Sequence, residues 1–366
     1  MLTCTRCRGC EQVIGVTRIS VLALHFVALD TFTASLANRN HMPARLDEQS
    51  VDAAALRLAI EARSLLGLPT EVRDCSTVWV DTLASAPTAL EFARHVVRHV
   101  PLLLIDGCID DRTGLQRWQS TQYLIDAMGE EPVQVSLTPD GRADDLQSLD
   151  ERDVFALPME QWRSFRLMSD VREINGGSSK THTSLVWQLC VGRCALGTEP
   201  EATNLWIGTS KSRTSMHREI ITENLFTVIR GTKIFTLYPP CEAHFLCEDK
   251  PYEVYQWHRA PDDLWSLQPS DSTATPWIPI DPSLHQTPPE NVRHERFAKA
   301  LPPLIVRVHA GQTLFLPAGW YHHVTQEGDK EGFLCLCELV VRFEVCLQRS
   351  MGLGRVCQGN RQLSRD

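Results

Sequence analysis

From Pro132 onward the chain runs in short segments that favour strands, each closed by a turn signal. That rhythm limits the fold more than any other feature. Val133–Leu137 alternates at period two and stops at Thr138-Pro139-Asp140-Gly141. Asn204–Ile207 is a second run. Leu225–Ile229, Arg230-Gly231-Thr232 and Lys233–Tyr238 read as a β-hairpin closed by Pro239-Pro240. Leu304–Val308 and Thr313–Leu316 repeat the pattern around Ala310-Gly311. Many short strands with regular turns point to a sandwich or barrel.

Upstream the pattern is helical. Residues 51–66 are rich in Ala and Leu, and Gly67 is placed to end the helix. A second helix is expected from Pro87 to about His99, and a third over 113–128, with Leu102–Ile105 as a buried strand. Residues 142–200 are polar with few periodic elements, and the Pro-rich residues 250–300 are expected to form a long loop. The expected fold class is α+β with a mainly β core, a jelly roll behind an N-terminal helical region. The expected divisions are an N-terminal extension at 1–41 (disordered), a helical region at 42–130, the jelly roll at 131–345 and a tail at 346–366.

Composition narrows the classes. The hydrophobic fraction of 43% and charged fraction of 22% suit a soluble globular chain, and 366 residues allow a sizeable core. A net charge of -9 argues against a general nucleic-acid binder. Thirteen scattered cysteines, an odd number, read as free thiols in a reducing compartment. The expected location is therefore cytoplasmic, with the nucleus as a possible additional site. Cys4, Cys7 and Cys10 invite a zinc reading, but no fourth ligand follows nearby. The apolar run Ile19–Val27 behind Arg6, Arg8 and Arg18 loosely resembles a signal peptide. It is too short to span a bilayer, and the favoured reading is an extension without a targeting role.

The chemistry centres on Thr214-Ser215-Met216-His217-Arg218-Glu219. If this run is a strand, side chains at i and i+2 leave on one face, so His217 and Glu219 project together. Two histidines and one carboxylate on one face of a metal leave positions open for an oxidant and a cosubstrate, as in non-haem Fe(II) oxygenases. A third ligand must come from elsewhere. His322 and His323 follow the apolar strand Leu314–Leu316, and alternation lets only one of them face inward. Lys233 offers a point charge for a dicarboxylate cosubstrate, and Thr214 a hydroxyl for the same group.

These segments resemble, in order, the motifs of the small jumonji C (JmjC) hydroxylases, and most closely the bifunctional peptidase and (3S)-lysyl hydroxylases. Val135-Ser136-Leu137-Thr138-Pro139-Asp140-Gly141 resembles V-x-x-T-P-D-G, and Asn204-Leu205-Trp206-Ile207-Gly208 resembles N-F-W-L-G. Thr214-Ser215-Met216-His217 resembles T-S-x-H, followed by Glu223-Asn224-Leu225 for E-N-L. Gly231-Thr232-Lys233 resembles G-x-K, and Trp277 to Pro282 resembles W-x-x-x-D-P. Leu316-Pro317-Ala318 through Trp320-Tyr321-His322-His323-Val324 resembles L-P-A-x-W-x-H-H-V.

The resemblance implies a JmjC-type double-stranded β-helix, a cupin-like jelly roll. It implies Fe(II) ligands at His217, Glu219 and His322, and a 2-oxoglutarate pocket at Thr214, Asn224 and Lys233. The activity implied is Fe(II)- and 2-oxoglutarate-dependent protein hydroxylation, expected on lysine, with peptidase activity as an addition. The alternative is a non-catalytic cupin-like binding module or pseudoenzyme. The implied partner is a lysine-bearing or basic protein segment; a homodimer is a further expectation, and neither a membrane nor a nucleic acid is expected. Three departures stand out. The hydroxylases use H-x-D where this chain has His217-Arg218-Glu219, a spacing that is found with Glu among JmjC demethylases. One extra residue precedes Glu223-Asn224, and a slip of one residue inverts facing unless a bulge absorbs it. The family's last strand has no legible counterpart after His323, although 333–347 is strand-like.

Overall fold

The computed structural model describes residues 47–68, 80–106, 112–130, 132–164, 177–182, 202–282 and 294–342. The expectations for residues 1–41, including the Cys4-Cys7-Cys10 run and Ile19–Val27, and for the tail at 346–366 lie outside the described residues.

Two sheets face each other. The larger runs β1 (Asp81–Leu83), β2 (Leu102–Leu104), β18 (Thr313–Leu316), β11 (Thr222–Arg230), β20 (Phe333–Arg342), β9 (Ala202–Thr209), β8 (Gly177–His182), β3 (Pro132–Leu137) and β7 (Met159–Ser164). The smaller runs β17 (Leu304–His309), β12 (Thr232–Tyr238), β19 (Tyr321–Glu327), β10 (Arg213–His217) and β4 (Arg142–Ala143). Phe226 and Val228 from the first sheet meet Phe235, Leu237, Val306 and Val324 from the second in one buried cluster. This is the cupin-like jelly roll that the resemblance implied. Among the described residues no helix is long and apolar enough to cross a membrane.

The expected hairpins are not hairpins. β11 and β12 lie in different sheets, and so do β17 and β18. Both turns carry the chain from one sheet to the other. Gly231 makes the first crossing possible. Its φ is +75, and a Cβ there would lie 2.6 Å from the Glu327 carbonyl oxygen. Alternation within a strand tells which face is apolar, but not which neighbour the strand will pair with.

The later helices pack on the outer face of the larger sheet, and the first packs against Phe245 and Leu301. α1 (Glu48–Leu66) starts at Asp47, whose side chain accepts from the Ser50 N–H, and stops at left-handed Gly67. α2 (Ala89–Arg98) is set by a capping box between Thr88 and Glu91, so Pro87 lies just outside the helix rather than in its first turn. The expected helix at 113–128 is two helices, α3 (Arg112–Trp118) and α4 (Thr121–Met128). Ser120 caps the second by accepting from the Tyr123 N–H. Phe92, Val96 and Leu124 bury against Leu205, Leu225 and Phe315 of the sheet. β2 pairs with β18, so the helical region and the roll share a sheet as well as a core. Trp320 ties them once more: it is fully buried and its indole N–H donates to the His99 carbonyl at 3.0 Å.

Two polar stretches hold more structure than their sequence suggests. Within 142–164, β5 (Asp145–Leu149) and β6 (Arg152–Leu157) pair with each other. The expected loop at 250–300 contains β13 (Pro251–Tyr252), which pairs with β16 (Thr275–Pro276), and β14 (Val254–Arg259), which pairs with β6 and with β15 (Trp265–Pro269). Pro269 stands at the end of its strand, where its missing N–H costs no ladder bond.

Candidate metal centre

A cavity of about 430 Å³ opens between the two sheets. Its lining includes Thr214, His217, Glu219, Lys233 and His322. One nitrogen or oxygen from each of His217, Glu219 and His322 lies within 4.8 Å of the others. The two imidazole rings stand 4.1 Å apart between centroids.

Each of the three side chains arrives by a different local device. β10 and β19 pair Thr214 with Val324 and His217 with His322, so three steps on one strand match two on the other. This bulge lets Thr214 and His217 share the cavity face. His322 reaches that face by simple alternation along β19, and His323 points the other way. The structure thus separates the two histidines the sequence left open. Glu219 does not arrive by alternation. β10 ends at His217, and Glu219 lies in the turn that leads to β11 at Thr222. That turn also absorbs the extra residue ahead of Glu223-Asn224, outside any strand.

The turn is held from several sides. The Glu219 carbonyl accepts from the Gly319 N–H at 2.6 Å. Asn224, expected in the 2-oxoglutarate pocket, is not among the residues that line the cavity; its amide instead donates to the Glu219 carboxylate. Arg218 pairs with Glu248 at 2.8 Å and stacks over Tyr321, whose hydroxyl donates to the same carboxylate at 2.7 Å. Asn224 is fully buried, and its Oδ1 has no hydrogen-bond partner.

The histidines are prepared as ligands. His217 Nδ1 is 2.9 Å from the Ser215 carbonyl, and His322 Nδ1 is 3.1 Å from the Trp320 carbonyl. A carbonyl only accepts, so each Nδ1 carries the proton and each Nε2 keeps its lone pair. Burial lowers the pKa of His217, and lowers that of His322 well below the ordinary value with His217 adding to the effect. Both rings are neutral, the state in which imidazole binds a metal.

Further along the cavity stands Lys233. Its neighbours across the strands are Val308 and Gln326, and it is buried. Burial pulls its pKa down to about 8, opposed by the charge of Glu338. Leu237 of β12 is the residue paired with His322, so Lys233 lies four residues along, roughly 13 Å of strand. The lysine side chain covers part of that span, and the rest suits a short dicarboxylate.

Sequence reasoning missed Glu338. It sits mid-strand in β20, which pairs with both β9 and β11 and so fills the place of the last strand that was not legible. Glu338 lines the cavity and is buried. A charged residue within the apolar run Phe333 to Val341 was the available signal.

The chain is similar to known proteins over most of its length. Residues 183–341 match the cupin-like domain family. Over 74% of its length the chain is 31% identical to the lysine-specific demethylase JMJ32 of Arabidopsis thaliana, covering 84% of that protein. Over 73% it is 30% identical to the human bifunctional peptidase and (3S)-lysyl hydroxylase JMJD7, covering 88%. It is also 28% identical to JmjC domain-containing protein E of Dictyostelium discoideum, covering 78%.

Proposed function

This chain belongs to the JmjC oxygenases with a cupin-like fold, which are 2-oxoglutarate-dependent dioxygenases, and from that premise we propose that it hydroxylates a protein substrate at a lysine-bearing segment, using Fe(II). The observation that carries this reading is the convergence of His217, Glu219 and His322 in one cavity with Lys233.

The donor set fits the metal. Two neutral imidazoles and one carboxylate make the facial arrangement suited to Fe(II) with positions left open. His217, Glu219 and His322 would hold it, and Asn224 would orient Glu219 through its amide. Lys233 and Thr214 would take the distal carboxylate of 2-oxoglutarate, the lysine as a point charge and the threonine as a hydroxyl donor. The chemistry that bound iron supplies is oxidative: 2-oxoglutarate loses carbon dioxide to become succinate, and one oxygen atom of dioxygen enters a substrate C–H bond. The walls of Phe226, Phe235 and Val324 keep the inner part of the cavity apolar.

Substrate choice is read from the open side. Glu160, which is exposed, and Asp144 line the cavity. Arg213 lines the same cavity, and the two acids outnumber it, which favours a basic side chain over an acidic one. Glu219 in place of aspartate supports a second reading, hydroxylation of an N-methyl carbon of a methylated lysine, after which the C–N bond would break and the carbon leave as formaldehyde.

The test is succinate formation by purified protein with Fe(II), 2-oxoglutarate and lysine or methyl-lysine peptides. Turnover that His217→Ala abolishes is expected. A peptide that gains one oxygen marks the first reading, and one that loses a methyl group marks the second. No succinate above background, together with no metal retained, would overturn both.

A further inference from the structure

The cavity that would take 2-oxoglutarate carries a carboxylate that no step of the proposed reaction uses. Glu338 lines the same cavity as Lys233 and is 4% exposed. Its place is fixed. It pairs across the sheet with Phe226 on one side and Asn204 on the other. Two donors meet the same oxygen, Oε2: the Asn204 amide at 3.0 Å and the Trp206 indole N–H at 2.7 Å. A buried carboxyl group is costly unless such partners exist, and the sheet supplies both of them.

We propose that Glu338 is a counter-charge to Lys233 that sets cosubstrate affinity, so that the Lys233 end of the pocket offers little net positive charge to the distal carboxylate of 2-oxoglutarate. This rests on the assignment of Lys233 to that carboxylate. The two groups are not in salt-bridge contact. Glu338 acts through the low-dielectric space they share, where charges are felt over longer distances than in water. Its field supports the charged form of Lys233 against burial, and in its absence the arriving cosubstrate carboxylate does the same. A dicarboxylate entering the pocket meets the attraction of one group and the repulsion of the other. The consequence is loose binding, with occupancy that follows the cosubstrate concentration.

The test measures binding without turnover. Full-length protein loaded with Mn(II) is titrated calorimetrically with 2-oxoglutarate and with 2-oxovalerate, which lacks the distal carboxylate. In wild type the two should bind within about threefold of each other. Glu338→Gln keeps a group able to accept from Trp206 and should tighten 2-oxoglutarate by at least about tenfold while leaving 2-oxovalerate and Mn(II) affinity unchanged. Glu338→Asp, which keeps the charge, should behave as wild type.

Equal 2-oxoglutarate binding by wild type and Glu338→Gln would sink this inference and leave the pocket assignment standing. Failure of both proteins to bind 2-oxoglutarate at all would sink the assignment and the inference with it. If the variants do not fold, the wild-type ratio still decides: a preference for 2-oxoglutarate above about thirtyfold overturns the proposal.

Discussion

His322 and His323 are neighbours on β19, and both are almost wholly buried, at 2% and 3% exposure. They serve opposite faces of one strand. On the His322 side three donors converge on a cavity of about 430 Å³. On the His323 side histidine, carboxylates and arginines also gather, but the space left is about 10 Å³. There His323 Nε2 lies 3.6 Å from Asp281, and Arg142 lies 3.5 Å from Asp145 and 4.0 Å from Asp281. The acids on that face answer to bases already in place. Donor types alone therefore do not make a site. Convergence of lone pairs on open space separates the face that can take a cation from the face already neutralised by its own residues.

The largest expected effect tests that division directly. His322→Ala should lower Fe(II) or Mn(II) affinity by more than about 100-fold, beyond what loss of a ligand's supporting partner costs, with little change in thermal stability. His323→Ala should do the reverse, keeping metal affinity and costing about 2–4 kcal/mol of stability through the void it leaves. Metal titration and denaturant unfolding of both variants would read it; equal metal loss in the two would break the comparison. Asn224→Ala should come next, weakening the metal by about 10–100-fold because Glu219 loses its amide donor. Lys233→Met should weaken 2-oxoglutarate by about 10–100-fold in the Mn(II) protein while metal affinity stays the same.

The last effect belongs to the compact face and depends on pH. Burial raises the Asp145 carboxyl from 3.8 to about 6 against the pull of Arg142. Its folded pKa lies above its unfolded one, so the folded chain holds that proton more tightly. Stability is therefore lost as pH rises from about 4 to about 6, and the loss is complete above that. Asp145→Asn, which cannot ionise, should be the more stable protein at pH 7.5, by at most about 3 kcal/mol, and no better than wild type at pH 4. Urea unfolding at the two pH values measures this. A gain that does not change with pH would show that the acid is not held at a cost.

The faces of the strands were legible in the sequence, and their partners were not. Period-two alternation marked Val133–Leu137, Lys233–Tyr238 and Leu304–Val308 as strands with one apolar face, and they are strands. Nothing local distinguishes a turn that closes a hairpin from one that crosses between sheets, because the partner is set by contacts remote in sequence. Gly231 reads the same in either case. The site shows the same limit. His217 and Glu219 were paired by a two-residue spacing, and the structure does bring them together, but through a turn braced by Asn224, Gly319 and Arg218. Spacing found the residues and misjudged the geometry. Glu338 escaped because motif reading looks for clusters of donors, and this one stands alone in an apolar strand.

β20 sits between β9 and β11, strands that precede it by more than a hundred residues. Its ladders with them supply the middle of the larger sheet. During synthesis the ribosome delivers both flanking strands long before the one that joins them. Until then each flanking strand presents a row of unsatisfied amides and carbonyls, the kind of edge that invites pairing with another molecule. Closure of so non-local a sheet is also slow. The nascent protein thus passes through a window in which self-association competes with completion, and chaperone dependence is the expected cost of seating the middle strand late.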